Sequence, residues 1–452
     1  MLIPAIWCVI RYFAVNGYSV LIAFTDGEPF KDRFTIRNFT MLFNELGQKD
    51  SIIYLAVINT FKYFLLGTVK VFLAFVVAYF LYKKIWCYKA FRFIFFLPSL
   101  IAPVVSIMIF KDIIAKYGPL WEIVKTLFGV EYEEMLANPA IATRVIMIYV
   151  LLTGFGTTFL IFMGAMNRAP EECFEAARID GCSLWREFWQ ILCPLTFETF
   201  STMLLLQFAT IFTATGPILY FTGGSYNTYT LSYWIFDQVR GSSYNYPSAV
   251  GMFFRACDPL CFRLARDNEK NQPGGKLLMK FSFGKRKRFS TSAVGIAVFV
   301  VFLVYALVLI VPYLYALNVS LKTRVEYTDK PIFALPEKPM FENYLRAWKE
   351  LSSENSSVPM MFLNSLWYAG GMSFFGVFFS AMAAYVVAYY EFPGRRFFYV
   401  FALVAMLLPI MGSMASSLKF AQAIGAYNSP LFALLEAGCL GGSFIILYST
   451  FK

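Results

Sequence analysis

The sequence predicts an all-α polytopic membrane protein with about nine or ten transmembrane helices in two repeats. Three observations carry that expectation. Hydrophobic residues make up 59% of the 452 and charged residues only 15%, with a mean hydropathy of +0.60; a soluble domain has roughly 45–50% and 25%. Several apolar runs reach the roughly 20 residues needed to cross the hydrocarbon core. The basic residues, which give a net charge of +11, gather beside those runs, the signature of cytoplasmic loops rather than of nucleic-acid binding.

Spans are expected near 2–24, 55–82, 91–113, 143–165 and 190–215. No cleavable signal peptide is evident in Met1–Phe24, which lacks a basic start and is interrupted by Arg11 and Asn16. The turn from Lys83 to Arg92 is strongly basic and is expected inside. The connection 114–142 sets Lys116 and Lys125 against Glu122, Glu131, Glu133 and Glu134, so it is expected outside. The polar segment 167–195 then returns to the inside. A sixth span is strained: Pro247–Phe262 is short, and Arg255 and Asp258 within it each cost about 2.5–3.5 kcal/mol at a helix centre. Arg263–Ser290 contains Pro273-Gly274-Gly275 and Lys285-Arg286-Lys287-Arg288 and reads as a cytoplasmic linker attracted to anionic lipid. Spans resume near 294–317, 360–388, 396–415 and 430–450.

The later spans repeat the earlier ones. Asn38 and Asn59 stand 21 residues apart, as do Asn343 and Asn364. Asn59 and Asn364 each open a long apolar span, followed by a basic turn (Lys89 to Arg92; Arg395-Arg396) and a span containing Pro98 or Pro409. The expected organisation is a first unit over 1–262, a basic linker over 263–293 and a second unit over 294–452.

The polar segment is the most informative stretch. Pro170 suits the start of a helix, because its missing N–H would be unpaired there anyway. Glu171 and Glu172 favour the first turn through the helix dipole. Gly181 can adopt the left-handed conformation that ends such a helix, and Ser183 can cap the next one. The expected form is a short helix, a tight turn and a second helix running back into the membrane.

Glu175-Ala176-Ala177, three residues, Gly181, nine residues, then Ile191-Leu192-Cys193-Pro194 resembles the EAA loop of the membrane subunits of bacterial ABC importers, above all the sugar permeases. Cys193 stands where Leu is usual. The resemblance implies the type I permease fold and a plasma (inner) membrane location. It makes the segment the coupling helix that docks on a cytoplasmic ATPase dimer. Glu175 would pair with a basic residue of that ATPase, Gly181 would supply the bend, and Ala176 and Ala177 would permit close approach. Asp180, Ile191 and Pro194 complete the matched pattern. An extracytoplasmic solute-binding protein and a second permease subunit are the other implied partners. In the second copy, Ser320-Leu321-Lys322-Thr323, Glu342-Asn343-Tyr344, Phe362-Leu363-Asn364-Ser365-Leu366 and Phe392-Pro393-Gly394-Arg395-Arg396 look like the partner permease of carbohydrate importers. The chain ends near where that copy would enter its own EAA loop. The expectation is a fragment, or a reading-frame accident joining two neighbouring permeases, with a purposeful fusion as the alternative.

Other chemistries are poorly supplied. The chain holds no histidine, which removes Ser/His/Asp and Cys/His catalysis. Its eight cysteines show no metal-ligand spacing, Cys257-Asp258-Pro259-Leu260-Cys261 being the nearest approach. Gly274-Gly275-Lys276 is followed by Leu277 and lacks the upstream glycine of a P-loop, so no nucleotide, metal or other cofactor is expected on this chain. Tyr220, Tyr226, Tyr229 and Trp234 could flank a sugar path, although interfacial aromatic belts are the better account of them. Three readings stay open: an ABC importer permease for sugars or related solutes, a secondary transporter or channel, and an intramembrane enzyme.

Overall fold

The structure is a computed structural model. It describes residues 17–27, 33–116, 118–128, 134–209, 211–212, 217–256, 293–329, 333–352, 357–407, 425, 429–430 and 442–451. Among the described residues the regular elements are helical, with a single bridge between Thr25 and Phe34. Four helices are long and apolar enough to cross a membrane: Ile52–Tyr82, Ala142–Arg168, Val294–Ser320 and Val358–Tyr389. Two bent pairs, Tyr88–Leu100 with Pro103–Trp121 and Leu184–Leu195 with Thr199–Phe208, raise the count to as many as six.

The bends correct two expected spans. The stretch 91–113 is not one helix but two, turned by 102°. Pro98 is tolerated inside the first of them; the break falls at Ile101-Ala102. Pro103 bars the helical conformation to the residue before it, and Ala102 accordingly sits at φ −55°, ψ 130°. The stretch 190–215 is likewise bent, by 77°, near Thr196. Of the strained candidate 247–262, the described part belongs to the helix Asn245–Ala256; residues 257–292 lie outside the described residues. So do most of 2–24, 408–415 and 431–441, where three other spans were expected.

The repeat is visible in the elements. An amphipathic helix, Arg37–Leu46, precedes the 31-residue Ile52–Tyr82, and another, Glu342–Glu350, precedes the 32-residue Val358–Tyr389.

The chain forms two compact units. One comprises 1–55, 231–262 and 341–452. In it Asn38 donates to the carbonyls of Ala23 and Thr25, both at 3.0 Å, and Asn245 donates to those of Thr25 and Gly27 at 2.7 and 2.9 Å. Its second core joins Val358–Tyr389 to Gly442–Phe451 through Ala384, Val387, Ala402 and Phe444.

The other unit comprises 56–230 and 263–340. Its core is aromatic: Phe75 meets Phe162, Phe188 and Phe200 at 5.1–5.4 Å. The helix Ala293–Ser320 belongs here. Phe302 and Tyr305 lie 5.2 and 4.8 Å from Phe95, and the Tyr305 hydroxyl donates to the Leu152 carbonyl at 2.6 Å. The helix Ala293–Ser320 thus packs with residues 56–230 in this compact unit. The opposite side of this helix leaves Val300, Val301, Val304 and Leu307 exposed, as a lipid-facing surface should.

Candidate functional site

The segment 167–195 lies within the second of these units, and its form follows from a few residues. Helix Gly156–Arg168 stops at Ala169 (φ −65°, ψ 137°) because Pro170 follows. Pro170 precedes the first helical residue of Glu171–Ile179. That helix ends through backbone bonds from Asp180 to Ala176 (3.0 Å) and from Cys182 to Ala177 (2.8 Å). Gly181 at φ +68° makes the reversal, in a conformation that costs a side-chain-bearing residue roughly 1–2 kcal/mol. Ser183 caps the next helix, its hydroxyl accepting from the Arg186 N–H at 3.4 Å.

The short helix has two faces. Phe174 and Ala177, three residues apart, are buried at 3% and 6% exposure. Phe174 meets Tyr82 at 5.8 Å. Glu172, Cys173, Glu175, Ala176, Asp180 and Gly181 are exposed, and Ile179 is 87% exposed. Ala177 therefore serves packing on this chain, while Ala176 is the small residue of the outer face. Trp185, 72% exposed beyond the turn, stacks on Phe188 and meets Trp189 edge to face.

Beneath the helix lies an ion pair that no sequence pattern announces. Lys83, just past the end of Ile52–Tyr82, pairs with Glu187, their side chains 8% and 5% exposed. The ammonium lies 5.8 Å from the Phe174 ring and 5.7 Å from that of Tyr79. The Tyr79 hydroxyl also donates to the Leu184 carbonyl at 3.3 Å. These contacts place the basic turn and the segment 167–195 on the same side of the spans, as the charge pattern required.

Residues Glu187–Leu192 form a π-turn rather than regular helix. The cause is Pro194: it has no N–H to offer the carbonyl four residues back, and the Cys193 N–H bonds five back, to Phe188. Ile191 is half-buried on this turn, Leu192 fully buried and Pro194 exposed.

A model of the family described as "binding-protein-dependent transport system inner membrane component" matches residues 70–321, more than half of the chain and including the whole segment. The chain belongs to this family. Membership makes it a transport permease component of the inner membrane. The match runs through Ala293–Ser320, in keeping with where that helix packs. Among curated relatives, the diacetylchitobiose uptake permease NgcG of Streptomyces coelicolor is 31% identical over 152 residues, 33% of this chain and 48% of that protein. The maltose/maltodextrin permease MalF of Escherichia coli K12 is 25% identical over 178 residues, 38% of this chain and 34% of MalF. The xylose/arabinose import permease XacH of Haloferax volcanii is 25% identical over 193 residues, 42% of this chain and 61% of XacH. The chain thus matches less than two thirds of the length of each. A crystal structure of a bacterial ABC transporter that imports the acidic polysaccharide alginate superposes with a TM-score of 0.51 at 17% identity, over 60% of this chain and 95% of that one, which supports the fold.

Proposed function

We propose that this permease moves a carbohydrate or related solute across the plasma membrane, using ATP hydrolysed by a separate cytoplasmic ATPase dimer that docks on Glu171–Ile179. The observation that carries the reading is the two-faced helix: Phe174 and Ala177 anchor it, while Glu175, Ala176, Ile179 and Asp180 project outward beside the turn at Gly181. Such an exposed face suits a shallow cleft with a basic residue opposite Glu175. Carbohydrate follows from the solutes for which the relatives are named. A solute-binding protein outside and a second permease subunit complete the assembly. The repeats 1–262 and 294–452, joined by the basic stretch 263–293, are read as two permease units, the first carrying the coupling segment.

One observation favours a transporter without an ATPase: Lys70 lies inside the first long span, where working charges of secondary transporters are found. Reconstitution with and without the ATPase decides between them. Glu175→Lys and Gly181→Pro should leave the protein in the membrane while separating ATP hydrolysis from uptake. Unchanged solute-stimulated hydrolysis and uptake in both variants would overturn the docking role.

A further inference from the structure

The packed face of Ile52–Tyr82 changes character along its length. Toward Tyr82 it is apolar: Val71, Ala74, Phe75 and Ala78 are buried in the aromatic core. Nearer Ile52 polar side chains join it, with Asn59, Thr60 and Tyr63 buried. Lys70 lies twelve residues before Tyr82, about 18 Å along the helix and so deep in the span. Ionisable residues at such depth are rare, face the protein interior and mark solute paths.

Three further observations surround this lysine. The span Ala142–Arg168 is interrupted by a turn at Gly154-Phe155, and the tip of Lys70 lies over the break: a Cβ on Gly154 would stand 2.6 Å from Lys70 Cδ and 2.8 Å from Nζ. Less than a turn away, the side-chain amide of Gln207 occupies the place a Cβ on Gly67 would take. One turn further is Tyr63, 8% exposed, whose hydroxyl has no hydrogen-bond partner among the described residues. Tyr63, Gly67 and Lys70 follow the i, i+4, i+7 spacing of one helix face, so phenol, amide and ammonium line a seam about 10 Å long. Lys62 differs: it is exposed and reaches back to Asn59 Oδ1 at 3.4 Å.

We infer that Lys70, Gln207 and Tyr63 form a solute subsite within the span bundle, selecting a hydroxylated solute that carries an anionic group. The ammonium takes the anion, and the amide and phenol take hydroxyls. Glycine at 67 and 154 leaves the space that the polar side chains occupy. The inference rests on the permease reading above and adds a substrate class to it: acidic sugars, carrying either a carboxylate or a phosphate.

The test uses the complete importer in proteoliposomes, with its ATPase and solute-binding protein, and labelled digalacturonate, glucose 1-phosphate and maltose as probes. Wild type should take up one of the two anionic probes in preference to maltose, and which one identifies the anion. Lys70→Met should lower the anionic-to-neutral uptake ratio at least tenfold, and Lys70→Arg should restore it. Gly154→Val, which fills the space at the ammonium, should lower the ratio as Lys70→Met does. ATP-driven uptake of maltose in preference to both anions, or a ratio unmoved in Lys70→Met, would overturn the subsite while leaving the permease reading intact. Loss of all uptake in Lys70→Met without rescue by Lys70→Arg would assign the lysine to the helix break instead. Absence of ATP-driven uptake of every probe in wild type would overturn the permease reading and the subsite with it.

Discussion

Glutamine at position 187 keeps the shape of the side chain under the helix Glu171–Ile179 and removes its charge. The Lys83 and Glu187 side chains are 8% and 5% exposed, so the remaining ammonium would stay out of water. Breaking a buried pair by removing one partner costs about 3–5 kcal/mol. The Phe174 and Tyr79 rings near the ammonium are present in both proteins and leave that difference unchanged. Glu187→Gln and Lys83→Met should each lower the unfolding free energy by about 3 kcal/mol or more. The double variant Lys83→Met/Glu187→Leu should recover most of the loss, because an apolar pair of similar volume is often neutral. Denaturant unfolding in detergent, followed by fluorescence of Trp185 and Trp189 beside the pair, gives the double-mutant cycle. Since Phe174 packs over the same ammonium, the single variants should also spend more ATP per solute moved. Single variants within about 0.5 kcal/mol of wild type, the range of ordinary surface changes, or simple additivity in the double, would refute the reasoning.

Three further expectations follow from local geometry. Gly181→Ala meets nothing within 4 Å of its new Cβ and pays only for its φ of +68°, so stability should fall by about 1–2 kcal/mol with transport largely kept, checked by thermal unfolding and uptake. Phe174→Ala removes the main anchor of the short helix and should cost about 3–5 kcal/mol, with protease cleavage near residue 180 rising as the readout. Asn59→Ala removes the amide that donates to the carbonyls of Asn227 (2.7 Å) and Tyr229 (3.0 Å); about 1–3 kcal/mol should be lost, measured by the same unfolding assay.

Much of the segment 167–195 is legible because its structure is local. Pro170, Gly181 and Ser183 act on neighbours within four residues, and spacing alone exposes them. The fate of the spans was less legible. Hydropathy marks apolar runs but not where they bend, and one helix, Tyr88–Leu100, continues through Pro98 yet breaks before Pro103. The π-turn at Glu187–Leu192 follows from Pro194, yet one apolar run reads alike with or without it. Lys70 escapes a hydropathy average because a single charge hardly moves the mean over a 31-residue helix; the signal is the lysine itself. The pairing of Lys83 with Glu187 joins residues over a hundred positions apart, and no periodicity reports it. The same holds for Ala293–Ser320, whose sequence suggests a second unit while its aromatic face fits the first.

The claim that this chain is driven by a docked ATPase is tested most directly at Ile179, the most exposed apolar residue of the short helix. A cysteine there, in the complete importer, should cross-link to the ATPase subunit and should be labelled by an impermeant maleimide only from the cytoplasmic side. Labelling from the outside, or cytoplasmic labelling with no ATPase adduct in any nucleotide state, would contradict the account.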